Sequence, residues 1–141
     1  QTYIDNISFA ADQFATAGLE LLIEPINPRD MPGYFLSQTD QALELMARID
    51  HPTVRLQFDV YHHQITRGDL LKSLSAHFAQ IGHIQIASVP DRHEPDSGEV
   101  HYQAVFDHLD HLGYGGWLGC EYRPKGRTED GLGWFQARTD C

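Results

Sequence analysis

The chain has 141 residues, of which 41% are hydrophobic and 21% charged, a balance that suits one ordinary folded domain and excludes general disorder. Its net charge of −10 excludes the broad basic face that a nucleic-acid backbone requires. No apolar stretch approaches the roughly 20 residues of a membrane helix and no signal-peptide pattern is present. The two cysteines, Cys120 and Cys141, are too few for a disulfide framework, which favours a reducing cytoplasm.

In chain order, Ile4, Ile7, Ala11 and Phe14 recur at helical spacing and predict a helix over about 3–17, ended by Gly18. The chain begins at Gln1 inside this pattern, as expected of a fragment or a processed product. A strand then runs to Glu24 and opens into the Pro- and Gly-rich loop "PINPRDMPGYFLS", longer than a usual strand-to-helix connection. Ser37 or Thr39 caps the next helix, whose buried face includes Leu43, Met46 and Ile49. "VRLQFDVYH" reads as a strand ending at Asp59. Gly68 or Asp69 starts a helix with Leu70, Leu74, Phe78 and Ile81 on one face. "GHIQIASVP" is the third strand, followed by the polar loop "DRHEPDSGEV". A helix over about 102–112 buries Val105, Phe106, Leu109 and Leu112, and "GGWLGCEYRP" is the fourth strand. No element is predicted for the tail. Strand and helix alternate without a linker or a low-complexity tract, the rhythm of repeated parallel βα units in one domain spanning 1–141.

The four predicted strands end in Glu24, Asp59, Gln85 and Glu121, spaced 35, 26 and 36 residues apart. Side chains alternate along a strand, so these four can share one inward parity. Ile23, Phe58, Ile84 and Cys120 then face outward, with Leu21, Leu56, Gly82 and Leu118. Ligands of parallel α/β folds sit at the carboxyl ends of the strands. Three acids and an amide gathered there repel one another unless a cation neutralises them. Four oxygen donors without Cys or His favour one hard divalent ion, Mg²⁺ or Mn²⁺.

The segments "LLIEPIN", "DMPGYF", "QFDVYHHQI", "GHIQIASVPDRHEPDSGEV" and "GCEYRPKGRTEDGLGW" resemble the carboxyl-terminal half of hydroxypyruvate isomerases, within the xylose-isomerase-like TIM-barrel superfamily. The resemblance covers nearly the whole chain. It implies a (β/α)8 barrel of which this chain supplies the last four βα units, and one divalent metal at Glu24, Asp59, Gln85 and Glu121, with Glu24 and Glu121 as the acid/base pair. It implies interconversion of hydroxypyruvate and tartronate semialdehyde through an enediol, an aldose–ketose type isomerisation of glyoxylate metabolism. Many sugar epimerases of the superfamily have histidine where this chain has Gln85, which favours the hydroxypyruvate branch. His62, three residues after Asp59, resembles the superfamily's Asp-x-x-His substrate contact.

Arg92, in the loop after Gln85, is placed to hold a substrate carboxylate. His93 and Glu94 share that loop and are not expected to contact a ligand directly. Gln57 and His83 carry inward parity one layer deeper, as supporting groups or polar filling, and Arg123 lies inward two residues after Glu121. Tyr34 and Phe35 read as loop packing, His108 and His111 as surface, and Cys120 as a small buried hydrophobe.

A whole barrel takes about 250 residues and eight strands. Completion by the missing amino-terminal half-barrel or by self-association is therefore expected, with a small hydroxy-keto acid as substrate and neither nucleic acid nor membrane as partner. The alternatives are a related 2-oxo-tetronate isomerase, a ketose epimerase, or a catalytically silent half-barrel. A metal phosphodiesterase would want several strand-end histidines and a basic groove, and the sequence offers neither.

Overall fold

The computed structural model describes residues 1–135; Cys141 and the last residues of the tail lie outside them. The order is α1 (Thr2–Thr16), β1 (Leu21–Ile23), α2 (Thr39–Ile49), β2 (Val54–Asp59), α3 (Val60–Thr66), α4 (Leu70–His77), β3 (Ile81–Ile86), α5 (Tyr102–Leu112) and β4 (Leu118–Cys120), with 3₁₀ turns at Phe78–Gln80 and Thr128–Gly131. The strands form one parallel sheet in the order β1-β2-β3-β4, each joined to the next through helix. This is the partial (β/α)8 architecture that the alternation predicts. No helix among the described residues is long and apolar enough to cross a membrane.

The core lies between the outer face of the sheet and the helices. Ile23, Val54, Leu56, Phe58, Ile84 and Ile86 meet Leu45, Leu74, Val105, Phe106 and Leu109 there, all buried. The opposite, inner face carries Leu22, Arg55, Gln57, His83 and Gln85, all half-buried. Apolar residues on one parity and polar residues on the other are what a helix-covered sheet with a ligand-facing side demands.

Several local expectations give way. On α2 the buried stripe is Thr39, Ala42 and Leu45; Leu43, Met46 and Ile49 pack only partly buried beside it. Neither Ser37 nor Thr39 caps that helix: Gln38 holds the cap position, and the Thr39 hydroxyl is spent on His63 Nδ1 at 2.8 Å. Phe78 lies in the 3₁₀ turn and Ile81 opens β3, so neither continues α4. β2 ends at Asp59 as predicted, but "VYHHQIT", for which no element is predicted, forms helix α3, which Asp59 caps by accepting the Tyr61 N–H at 2.8 Å. Cys120 is exposed, not buried against the helices as its outward parity predicts.

Gly82 also faces the opposite way from its predicted parity. The β2–β3 register shifts between Leu56 and Gln57, so Ile81 pairs Leu56 while His83 pairs Gln57. The extra residue is a β-bulge that turns Gly82 inward. A Cβ there would meet Arg55 Cβ and Leu22 Cδ2 at 2.7 Å each. Gly82→Ala is therefore expected to destabilise the protein by about 1–3 kcal/mol, read from the denaturant midpoint; an unchanged midpoint would contradict this packing.

Candidate active site

Each strand-end residue is delivered by its own element. Glu24 follows β1 directly, with its carboxylate about three-quarters shielded: 23% of the side chain is exposed. Asp59 ends β2 and is buried; its Oδ1 caps α3 and its Oδ2 is left facing the inner side. Gln85 pairs Asp59 across β2–β3, and Glu121 follows β4, two residues beyond Gly119, which pairs Gln85. Continuing the β1–β2 register sets Glu24 beside Gln57, two residues short of Asp59. The four are thus staggered along their strands, the offset that tilted barrel strands need to bring their ends to one level.

Two shared partners tie the set together. Gln57 Nε2 donates to Gln85 Oε1 at 2.5 Å, and the same amide lies beside Glu24. Arg92 Nη2 donates to Glu121 Oε2 at 2.7 Å and reaches Asp59 Oδ2 at 3.5 Å. The Arg92 guanidinium also lies over the Tyr61 ring, 4.9 Å from its centre. Its backbone holds the left-handed conformation, φ 58, pinned by its N–H to Ser88 O at 2.9 Å and by Arg123 N–H to its own carbonyl at 2.7 Å. Gly119 keeps the floor open, since a Cβ there would meet His83 Nε2 at 2.8 Å and Gln85 Cγ at 3.2 Å.

Glu24, Asp59 and His62 form the tightest group, with one ligand atom of each inside a 4.8 Å span. Glu121 stands outside it, exposed and held by Arg92. His62 Nε2 is 3.6 Å from Asp59 Oδ2 and 3.9 Å from Glu24 Oε1. Its other nitrogen, Nδ1, accepts the backbone N–H of Asn27 at 3.3 Å and the Asn27 amide at 2.6 Å. A backbone N–H can only donate, so the proton of the neutral ring sits on Nε2. His62 therefore presents a donor to the two acids, a role suited to a substrate oxygen more than to a metal.

Asn27, fully buried, was not singled out from sequence. Asp30 holds it on both sides, donating its N–H to Asn27 Oδ1 at 2.9 Å and accepting from Nδ2 at 3.2 Å; Tyr61 OH donates to Asp30 Oδ2 at 2.7 Å. The available signal was an asparagine three residues past a strand-end glutamate, within a loop of unusual length.

Burial dominates the electrostatics. It raises Glu24 to about 7, with the Asp59 charge adding to it and the Gln57 amide opposing. It likewise raises Asp59 to about 6, against the Tyr61 N–H and Arg92. Burial lowers His62 to about 4, and Arg92 pushes the same way. Glu24 Oε1 is buried with no hydrogen-bond partner, the kind of orphan a bound cation satisfies. The oxygen-rich donor set and the compact Glu24–Asp59 pair fit one hard divalent ion.

His93 and Glu94 serve the loop framework. Ser88 N–H donates to His93 O at 2.9 Å, and His93 Nδ1 bonds Arg123 O at 2.6 Å. Glu94 is buried and accepts Lys125 N–H at 3.1 and 3.3 Å, so it anchors the 122–131 segment and does not face the acids. Phe35 stacks on Tyr3 with ring centres 5.1 Å apart, and His108 Nε2 meets Ser75 Oγ at 2.7 Å on the surface.

Parallel βα units with inward acids at the carboxyl ends of their strands define a TIM-barrel enzyme scaffold. The chain belongs to the xylose isomerase-like TIM barrel family, whose profile matches residues 1–138. It is 51% identical over 135 residues to the 2-oxo-tetronate isomerase of Cupriavidus necator, covering 96% of this chain and 52% of that protein. It is 41% identical over 134 residues to the hydroxypyruvate isomerase of Escherichia coli, covering 95% of this chain and 52% of that one. The crystal structure titled AP endonuclease, family 2, from Brucella melitensis matches with a TM-score of 0.94 at 48% identity, over 96% of this chain and 53% of that chain. The chain thus spans about half the length of the curated relatives it matches.

Proposed function

We propose that the protein is a metal-dependent isomerase that interconverts hydroxypyruvate and tartronate semialdehyde. One Mg²⁺ or Mn²⁺ would be held by Glu24, Asp59, Gln85 and Glu121. The observation that carries this reading is the convergence of Glu24 and Asp59, with the buried Glu24 Oε1 left without a partner, in a chain 41% identical to a hydroxypyruvate isomerase. A bound divalent ion acidifies the C–H next to a carbonyl by polarising that carbonyl.

The protein's own groups supply the rest. Glu24 and Glu121 are the acid/base pair, one removing the proton and the other returning it to the neighbouring carbon. Burial raises Glu24 to about 7 in the metal-free protein, and a cation bound there would favour its ionised form. His62 offers its Nε2–H to a substrate oxygen, fixed in that tautomer by Asn27. Arg92 binds near the substrate's charged end while offsetting Asp59 and Glu121.

A second reading has a specific support: the 51% identical relative from Cupriavidus necator is named a 2-oxo-tetronate isomerase. The two substrates share a 2-oxo acid head and differ in length, so turnover of each discriminates them. A nuclease reading, after the name of the Brucella structure, lacks the basic groove it needs at a net charge of −10. β1 and β4 each pair on one side only among the described residues, and the inner face is half-exposed. Further strands or a second copy would complete the barrel.

The test is substrate C–H exchange in D₂O, followed by NMR with hydroxypyruvate and Mn²⁺. Glu121→Gln is expected to slow exchange by about 10²-fold or more relative to wild type. Undiminished exchange would remove Glu121 from the chemistry.

A further inference from the structure

A cavity of about 350 Å³, linked to the acids through Arg92, is lined by Arg29, Asp30, Tyr61, Asp91, Arg92 and Arg123 among others. Three of the chain's ten basic residues gather here, in a protein of net charge −10. Two of these guanidinium groups are already engaged. Arg29 donates to Pro90 O at 3.0 Å and to Tyr61 OH at 3.3 Å, and it pairs with Asp30 at 3.8 Å. Arg92 is committed to Glu121 and Asp59. Arg123 differs. Its backbone is fixed on both sides, the N–H on Arg92 O at 2.7 Å and the carbonyl on His93 Nδ1 at 2.6 Å. Its guanidinium has no partner among the described residues, although it lines the cavity. A side chain anchored at its root, with its charge unspent, two residues beyond Glu121, is placed to receive an anion arriving from solvent.

We infer that Arg123 is a further specificity-determining anchor, beside Arg92, for the carboxylate of a small 2-oxo acid, and that its uncommitted charge helps set acids apart from neutral ketoses at this site. This rests on the isomerase reading for the identity of the acid. A planar guanidinium matches a carboxylate in two parallel hydrogen bonds, whereas a hydroxymethyl group offers it no charge.

The test uses calorimetric binding of hydroxypyruvate, and of its neutral counterpart dihydroxyacetone, to the intact wild-type, Arg123→Gln and Arg123→Lys proteins. Hydroxypyruvate affinity is expected to fall about 10- to 100-fold in Arg123→Gln and to recover in part in Arg123→Lys. Dihydroxyacetone binding should move by less than about threefold, as no charged contact is lost. Equal hydroxypyruvate affinity in wild type and Arg123→Gln overturns the inference, as does an equal loss for the neutral ligand or a wild type that does not bind the acid. Parallel turnover assays keep the two readings apart: a wild type that binds the acid through Arg123 without isomerising it supports the anchor and refutes the isomerase.

Discussion

Glu24→Gln is expected to lower turnover of hydroxypyruvate by about 10³-fold or more and, in the same protein without metal, to raise folding stability. The two effects have opposite signs because they come from one cause. Burial and the neighbouring Asp59 charge hold Glu24 near 7, above its ordinary 4.5, so the native state favours the protonated form. Above pH 7 the ionised carboxylate costs the fold on the order of 2 kcal/mol, which the isosteric, neutral glutamine avoids. The stability difference between mutant and wild type should be near zero below pH 4.5, grow between pH 4.5 and 7, and level off above that. Paired denaturant titrations and turnover assays read both quantities. A mutant that keeps wild-type turnover, or that is no more stable at pH 8, would show that Glu24 is neither ligand nor strained buried charge.

Much of this was legible because the fold repeats one rule. Each βα unit writes a strand whose outer parity is apolar, a polar residue at its end and an amphipathic helix; Glu24 closes Leu21–Ile23, and Asp59 closes a strand in which Val54, Leu56 and Phe58 alternate with Arg55 and Gln57. Alternation is a property of every strand, so inward parity follows from residue types alone. Where the rule fails, the cause is a contact that local pattern does not carry. The bulge that turns Gly82 inward belongs to the pairing of β3 with β2. Helix α3 was hidden because Val60, Tyr61 and Ile65 suit a strand as well, and only the Asp59 cap decides otherwise. Cys120 was expected to be buried from the outward parity of its strand, yet it is exposed, and parity alone does not set burial at the sheet's last strand.

The site divides in the same way. The strand-end residues were readable, whereas their partners were not. Arg92 was expected to hold a substrate carboxylate; what the sequence did not show is that its charge is shared with Asp59 and Glu121 across 33 and 29 residues of chain. The tautomer of His62 depends on Asn27, which is 35 residues away in sequence. Long-range contacts of this kind come from the packing of neighbouring βα units, and no periodicity encodes them.

The pH response of metal binding is the sharper test of the centre, because several groups in it titrate with opposing signs. Glu24 is raised from 4.5 to about 7 and Asp59 from 3.8 to about 6, so their ionisation erodes stability as the pH climbs through those windows. His62 and His63 are each lowered from 6.5 to about 4, so the unfolded chain binds their protons more tightly and stability rises over that range. The two trends largely offset, and the total stability of the metal-free protein is expected to change little between pH 4.5 and 6.5. The difference made by Mn²⁺ does not cancel. A cation on Glu24 and Asp59 must displace whatever protons they hold, and His62, neutral above pH 5 and donating from Nε2, does not compete. Raising the pH from 5.5 to 7.5 is therefore expected to tighten Mn²⁺ binding about a hundredfold, an increase of about 2.7 kcal/mol in metal-dependent stabilisation. Denaturant midpoints with and without Mn²⁺ at the two pH values measure it directly. If the Mn²⁺ contribution is the same at both, the ion is not held by Glu24 and Asp59, and the metal-dependent reading fails with it.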